Sequence, residues 1–178
     1  PAAQQSAVRL GMVTVSRQHP DFLKLRVLVT LLGGYFGSRL MSNIREDKGY
    51  TYGISAGLAS YPDSSLFVIS AKTANEYVEP LIAEVYRELD RLQQERVSQD
   101  ELQMVKNYMA GDICRSYESA FSLSDAWIFL HTSRLPDTYF DQVQEAMESV
   151  TPDELLLLAQ KYLCKENLKE VVSGKKMS

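Results

Sequence analysis

The sequence of 178 residues contains few of the residues that hydrolytic and metal-binding sites usually require. Its two histidines, His19 and His131, lie in neither an H-E-x-x-H nor an H-x-x-E-H frame. There is no C-x-x-C pair, no cluster of cysteine with histidine, and no G-x-x-x-x-G-K-[ST] phosphate loop. The familiar zinc-peptidase and nucleotide-binding motifs are therefore excluded, and no metal site is predicted within this chain.

Other features that the sequence lacks argue against particular partners and environments. The net charge is −4, and the basic residues are scattered apart from Lys175 and Lys176, which argues against a nucleic-acid partner. Two cysteines, Cys114 and Cys164, stand far apart in helical patterns and are predicted to be buried thiols. No apolar run approaches the roughly 18 to 20 residues that span a bilayer, so no membrane segment is predicted.

The order of the predicted elements indicates an α+β fold. Alternating patterns predict four strands, at residues 7–15, 51–60, 66–72 and 168–173. Helical periodicity and capping patterns predict helices that begin near residues 22, 38, 73, 98, 117, 138 and 151. Few strands followed by about five helices predict a mixed or mainly antiparallel sheet of about four strands, covered by helices on one face. We expect residues 1–6 to be a linker, 7–174 to form a single domain and 175–178 to be a tail.

The stretch Leu31–Gly53 concentrates backbone-permissive, charged and aromatic residues. Gly33 and Gly34 are expected to end the first helix, because glycine adopts the left-handed conformation without a Cβ clash. Gly49 is expected to end the second helix, just before the predicted hairpin. We predict structural roles for these three glycines, with tight packing at the helix end favoured over contact with a ligand.

Within this stretch, Arg45 and Tyr52 are the candidate functional pair. A helix end and a neighbouring strand start can bring them together, and two converging donors suit a peptide carbonyl or the oxyanion formed when an amide is attacked. The alternative is structural: Arg45 pairs with Glu46 or Asp47, and Tyr52 packs in the core on the face of Ile54. The spacing alone leaves both interpretations open.

A family resemblance bears on this choice. It is carried by Leu32-Gly33-Gly34, Ser38-Arg39-Leu40, Asn43-Ile44-Arg45-Glu46 and Gly49-Tyr50-Thr51-Tyr52. Over nearly its whole length the chain resembles the C-terminal, non-zinc half of the pitrilysin/insulinase-type metallopeptidases, which include the mitochondrial processing peptidase. The glycine pair and the Arg-to-Tyr spacing are its most specific features.

The resemblance implies one half of a divided active site. In that family, two homologous halves with a β-α-β-β-α-α core and extra helices enclose a chamber, and the N-terminal half binds zinc through H-x-x-E-H and a distal Glu. The zinc-free half supplies an Arg and a Tyr that bind and polarise the peptide substrate. By resemblance these are Arg45 and Tyr52, with Tyr50 as a neighbouring candidate for substrate binding.

The implied partners are a peptide or protein substrate and a zinc-bearing half or subunit, so this chain alone is predicted to be inactive. The abrupt start, PAAQQSAVRL, favours a fragment of a longer protease over a separate subunit. Homo-oligomers, and a periplasmic or cytoplasmic location if the protein is bacterial, stay open. Two rival hypotheses are a non-catalytic scaffold subunit with the same fold, as in the core proteins of respiratory complexes, and an unrelated α+β domain that binds small molecules.

Overall fold

In a computed structural model, which describes residues 3–115 and 117–174, four antiparallel strands form one sheet in the order β2-β3-β1-β4. The strands are β1 (Gln5–Thr14), β2 (Thr51–Ser60), β3 (Ser65–Ala74) and β4 (Lys169–Ser173). The α-helices are α1 (Phe22–Gly33), α2 (Val78–Gln94), α3 (Gln99–Arg115), α4 (Ala120–Thr132), α5 (Tyr139–Ser149) and α6 (Pro152–Tyr162). A π-helical segment, Met41–Asp47, lies between α1 and β2. The predicted α+β fold with a mainly antiparallel sheet is therefore confirmed.

The first strand begins slightly earlier than predicted. β1 begins at Gln5, so two residues of the expected 1–6 linker already pair with β3. The expected tail, 175–178, lies outside the described residues. Within residues 3–115 and 117–174, no helix combines the length and the apolar character needed to cross a membrane.

Alternation along the strands separates a core face from an open face. The core face of β1 carries Val8, Leu10 and Met12, which are buried under the helices. The next strand, β3, contributes Phe67 and Ile69 in the same way. Burying each such side chain stabilises the fold by about 1.5–3 kcal/mol relative to leaving it exposed. This period-two pattern is why the strands were recognisable in the sequence.

Capping-box patterns at Thr73, Ser98 and Thr151 are the basis of three of the predicted helix starts, and they have different outcomes. At Thr151 the box is complete, since its hydroxyl accepts from the Glu154 backbone N–H while the Glu154 carboxylate accepts from the Thr151 backbone N–H. At Ser98 only half forms, because the hydroxyl caps Glu101 but the Glu101 carboxylate binds Arg39. The box at Thr73 is wrong, because this residue lies in β3 and its hydroxyl donates to the backbone carbonyl of Tyr50, just before β2.

The two cysteines also differ from the prediction of buried thiols. Cys114 is exposed and Cys164 is half-buried, and both are free. Cys114 is the penultimate residue of α3, beyond the buried stripe of that helix, which ends at Met109. The helical period therefore placed Cys114 correctly on a helix but not inside the core.

Asp21 directly precedes α1, where an aspartate is expected to cap the helix, but it has a different role. Its carboxylate makes no capping bond and instead accepts hydrogen bonds from Lys161 Nζ at 2.7 Å and Tyr162 Oη at 2.6 Å. The hydrogen bond from Lys161, and to a smaller extent that from Tyr162, holds the pKa of the Asp21 carboxyl below its ordinary value of 3.8. The start of α1 is thereby attached to the end of α6.

We expect Asp21→Asn to lower the free energy of unfolding in a pH-dependent way. A carboxyl whose pKa is lowered by folding stabilises the folded state above its unfolded pKa, and this stabilisation disappears as the pH falls through the folded pKa. The difference between wild type and variant should therefore be largest near neutral pH and shrink below about pH 4. Urea unfolding across this range measures it, with the exposed Asp137→Asn as control. A difference independent of pH contradicts this role of the Asp21 carboxylate.

Candidate functional site

A cavity of about 660 Å³ opens where β2 begins and β3 ends, beside the π-helical segment. Its lining includes Phe36, Arg45, Tyr50, Tyr52, Lys72 and Tyr77. Arg45 and Tyr52, the two candidates from the sequence, thus face one cavity although they belong to different elements.

A β-bulge decides the orientation of Tyr52. The pairing between β2 and β3 shifts register between Thr51 and Ile54, so that both of these residues point into the core while Tyr52 and Gly53 point out. The Tyr52 side chain is 91% exposed. The alternative in which Tyr52 packs in the core beside Ile54 is therefore wrong, because the extra residue of a bulge reverses the strand alternation on one side of it.

Arg45 is held against an aromatic ring. Its guanidinium carbon lies 4.5 Å from the centroid of the Phe36 ring, a cation–π arrangement. The distance from Arg45 Nη1 to Glu46 Oε1 is 3.9 Å, which is a loose pair in a half-exposed setting. A pair of this kind contributes little stability, so the guanidinium keeps donors available to a ligand.

The backbone of the π-helical segment sets the direction of Arg45. The Lys48 N–H donates to the Asn43 carbonyl at 3.1 Å, a wider turn than in an α-helix, and the Tyr50 N–H donates to the Ile44 carbonyl at 3.0 Å. Gly49 reverses the chain with φ of +65°, a left-handed value that side chains other than glycine rarely adopt. A Cβ at Gly49 would meet no atom within 4 Å, so the requirement there is conformational.

Two buried carboxylates of α2 anchor this segment. Asn43 Nδ2 donates to Glu88 Oε1 at 2.8 Å and to Glu84 Oε2 at 3.3 Å. The side chains of Glu84 and Glu88 are 8% and 2% exposed, and they also pair with Lys48 and Arg91. Because buried charges are costly unless paired, this network holds the residue two positions before Arg45 firmly against α2.

A second ion pair fixes the start of the same segment. Arg39 donates from Nε and Nη2 to the two carboxylate oxygens of Glu101, at 2.6 and 2.8 Å. Burial by itself lowers the pKa of the Arg39 guanidinium, but the hydrogen bond with Glu101 and the negative charges of Glu101, Glu88 and Glu95 together raise that pKa above its usual value. The segment is thus tied to α3 as well as to α2.

Gly33 and Gly34, at the end of α1, lie in places where a Cβ would clash. A Cβ at Gly33 would lie 2.6 Å from the backbone nitrogen of Ala56 in β2, and one at Gly34 would lie 2.6 Å from Thr30 Cα. Gly34 has φ of −87°, so the left-handed helix end expected from the sequence is wrong. Gly33 serves close packing of helix on strand, whereas Gly34 lies against the last turn of its own helix, and a Cβ fits at neither position.

The remaining candidates are not brought to a common catalytic arrangement. The Tyr50 ring stacks on Tyr77 with centroids 5.1 Å apart. His19 Nδ1 accepts from the Asp21 backbone N–H, and His131 lies edge-on to Trp127. In the described part of the chain, no group of three or more His, Cys, Asp or Glu side chains is placed to hold a metal ion. The described residues of this chain therefore do not fit a zinc ion, which the resemblance assigns to the other half.

One short segment of β2 has the sequence pattern of a nucleophile turn. Residues 53–57 read G-x-S-x-G. In hydrolases this motif forms a sharp turn between a strand and a helix, whereas here it runs along the extended strand β2. Ser55 is consequently an ordinary strand residue.

Sequence reasoning missed Phe36, Glu84 and Glu88. An aromatic residue enclosed by Gly34 and Gly37 was the available signal for Phe36, since large apolar side chains are uncommon in glycine-rich loops. Two carboxylates four positions apart on α2, each followed by an Arg three positions later, were the signal for the buried pair.

Comparison with known proteins agrees with this architecture. Residues 1–109 match the family model described as the peptidase M16 inactive domain. An uncharacterised zinc protease of Bacillus subtilis is 31% identical over 119 residues, which is 67% of this chain and 29% of that protein. A zinc protease of Streptomyces coelicolor is 26% identical over 163 residues, 90% of this chain and 35% of its own length. The chain thus spans about a third of the curated relatives that it matches.

A solved structure extends the likeness over the whole fold. The peptidase M16 inactive domain from Pseudomonas fluorescens superposes with a TM-score of 0.89 at 24% identity, covering 100% of this chain and 43% of that one. The family match covers more than half of the chain, and the fold, the motifs and the relatives all agree with it. This chain therefore belongs to the peptidase M16 inactive-domain family, whose members form the C-terminal half of M16 zinc metallopeptidases.

Proposed function

We propose that this chain is the substrate-binding, zinc-free half of a zinc metalloendopeptidase. One observation carries the proposal: Arg45 and Tyr52 line the same cavity with their polar ends available. The Tyr52 hydroxyl makes no hydrogen bond to the described residues, and among these residues the only ion pair of Arg45 is the loose one with Glu46. Unsatisfied donors directed into a cavity are what the recognition of a peptide backbone requires.

In this proposal, each residue has its own task. The Arg45 guanidinium donates to a backbone carbonyl of the substrate and fixes the register of the peptide. The Tyr52 hydroxyl donates to the carbonyl oxygen of the bond that is cleaved, and this hydrogen bond strengthens as the oxygen becomes an oxyanion. Zinc, bound by the other half, supplies the Lewis acidity that the described residues of this chain do not provide.

The parts around the cavity support this division of tasks. The Phe36 ring and the Glu84–Asn43–Glu88 network restrain Arg45 before any substrate binds. A donor that is already oriented loses less conformational entropy when it meets its ligand. The bulge has the same effect for Tyr52, because it fixes the backbone from which the phenol projects.

The test uses this chain joined to, or assembled with, its zinc-bearing half, and a library of fluorescence-quenched peptides. The chain alone should cleave none of them. In the assembled protein, Arg45→Ala should lower kcat/KM by about 10- to 100-fold, the loss expected when a hydrogen bond to a charged group is removed. Arg45→Lys should recover part of this loss, because it restores the charge but not the planar set of donors.

Arg115→Ala is the matched control, since that side chain is also partly exposed and pairs with the nearby Asp112 of α3. Its kcat/KM should stay within twofold or so of wild type. Activity of the isolated chain, or equal turnover in Arg45→Ala and wild type, contradicts the proposal. The second result leaves the scaffold subunit as the better interpretation.

A further inference from the structure

The segment Met41–Asp47 is wound as a π-helix, although nothing in its own sequence requires this winding. It contains neither glycine nor proline, the residues that most often interrupt an α-helix locally. In an α-helix the Ile44 carbonyl would accept from the Lys48 N–H. Here that N–H donates to the Asn43 carbonyl, and the Ile44 carbonyl accepts from the Tyr50 N–H instead. Because π-helices are rare, the cause of this winding must lie in contacts with other elements.

The winding decides which side chains of the segment face α2. Asn43 and Lys48 are five positions apart, and both reach the Glu84 carboxylate, at 3.3 Å from Asn43 Nδ2 and 3.7 Å from Lys48 Nζ. Five residues of an α-helix make about 1.4 turns, which would place these two side chains well apart around the helix axis. A turn closed by an i→i+5 hydrogen bond brings them to the same side. Contact of both with one carboxylate therefore favours the π-helical winding.

Glu84 and Glu88 depend on these partners because both carboxylates are buried. Their side chains are 8% and 2% exposed, so water solvates neither charge well. Glu88 Oε1 accepts from Asn43 Nδ2 at 2.8 Å, whereas Glu88 Oε2 accepts no hydrogen bond from the described residues. A buried carboxylate that loses its donor is strongly destabilised, because nothing replaces the lost hydration. The two carboxylates thus stabilise the winding that presents Asn43 and Lys48 to them.

The same winding directs Arg45 toward the cavity. Because residues two positions apart do not share a helix face, Arg45 projects away from the contact of Asn43 with α2. Ile44, between them in sequence, is buried in the core. Arg45 lies against the Phe36 ring and lines the cavity together with Tyr52. A change of winding would shift the guanidinium relative to Tyr52, and a misplacement of about 1 Å can lower the rate of an enzyme about 100-fold.

We propose that the Glu84–Glu88 pair selects the π-helical winding of Met41–Asp47, and that Asn43 is a positioning residue that acts on the substrate through Arg45. This inference rests on the proposed function, in which Arg45 binds a carbonyl of the peptide. The binding of substrate by Arg45 then depends on two carboxylates of α2 that do not line the cavity.

The test compares Asn43→Ala with Ser42→Ala in the assembled protease. Both replace a short polar residue of the same segment by alanine, but the Ser42 side chain makes no hydrogen bond to the described residues. Asn43→Ala should lower kcat/KM about 10-fold, because Arg45 loses its fixed direction. Ser42→Ala, the matched control, should stay within about twofold of wild type.

A double-mutant cycle separates positioning from a merely structural effect. In the Arg45→Ala background, Asn43→Ala should cause no further loss of kcat/KM, because the residue through which it acts is gone. Equal losses in the two backgrounds overturn the positioning role, as does a wild-type kcat/KM in Asn43→Ala. If Asn43→Ala does not assemble with the zinc-bearing half, Lys48→Met decides by the same criteria, since the Lys48 side chain is 34% exposed and its replacement leaves the fold intact.

Hydrogen exchange tests the winding independently of activity. Measured by mass spectrometry on peptides that cover residues 41–50, exchange should be about 10-fold faster in Asn43→Ala than in wild type, because the segment is no longer held in one winding. Ser42→Ala should exchange at the wild-type rate. Unchanged exchange in Asn43→Ala overturns the selection of the winding by Glu84 and Glu88. If Arg45→Ala leaves turnover unchanged, the proposed function is wrong, whereas the exchange rates still decide whether these carboxylates hold the π-helix.

Discussion

Tyr52→Phe is expected to lower kcat of the assembled protease by roughly 10- to 1,000-fold, the range observed when a single oxyanion donor is lost. The substitution removes one oxygen and keeps the ring. Because Tyr52 is exposed and makes no hydrogen bond to the described residues, the folded chain loses no internal contact with that oxygen. The whole effect should therefore appear in turnover, with little change in KM or in the free energy of unfolding.

Two other tyrosines provide matched controls for this experiment. Tyr50 lines the same cavity, but its ring is stacked on Tyr77, and phenylalanine preserves that stack. Tyr61 is exposed in the turn of the hairpin, outside this cavity. We expect both Phe variants to keep kcat within about threefold of wild type.

The outcome shows whether Tyr50 or Tyr52 supplies the functional hydroxyl. A large loss in Tyr50→Phe together with a small one in Tyr52→Phe moves the functional hydroxyl to Tyr50. If neither substitution alters turnover, the cavity takes no part in catalysis. Pre-steady-state measurements should accompany the assay, since a slow product release can conceal a loss in the chemical step.

Gly33→Ala is expected to lower the free energy of unfolding by about 1–3 kcal/mol, the usual cost of forcing an extra carbon into a packed interior. The new Cβ would lie 2.6 Å from the backbone nitrogen of Ala56 and 2.7 Å from its Cβ. Neither atom is the end of a flexible side chain, so α1 must move away from β2. Urea unfolding of the variant measures the loss.

Gly111→Ala in α3 is the matched control, because the same substitution there meets only Arg115 Nη1, at 4.0 Å. Alanine in a helix interior is better than glycine by roughly 0.5–1 kcal/mol, so this variant should be more stable than wild type. Equal effects of the two substitutions would falsify the close approach of α1 to β2. The displacement in Gly33→Ala should also lower peptidase activity, since β2 carries Tyr52.

The fold was predictable wherever one local rule decided the outcome. The hairpin followed from two alternating segments around Pro62 and Asp63, and the start of α6 from a Thr–Pro–Asp–Glu sequence that satisfies the helix end on its own. Predictions failed where a distant residue competed for the same polar group. Asp21 binds Lys161 and Tyr162 from α6 and caps no helix.

Within the candidate site, the sequence singled out candidate residues but did not indicate their geometry. Arg45 and Tyr52 were singled out by their spacing and by a family resemblance. Continued alternation, however, placed Tyr52 on the buried face with Ile54, and the bulge between Thr51 and Ile54 reverses this. A bulge depends on the pairing of two strands, so one strand alone carries little sign of it.

The sequence by itself determined the class of the fold, the membership of the chain in its family, and the absence of an H-x-x-E-H motif from residues 1–178. These properties follow from periodicity and motifs, which are local. Only the tertiary structure decided that Tyr52 projects outward, that Arg45 stacks on Phe36, and that Glu84 and Glu88 hold the π-helical segment. Each of these depends on which distant groups meet at one place, and there the desolvation of charges and the pairing of strands outweigh local preference.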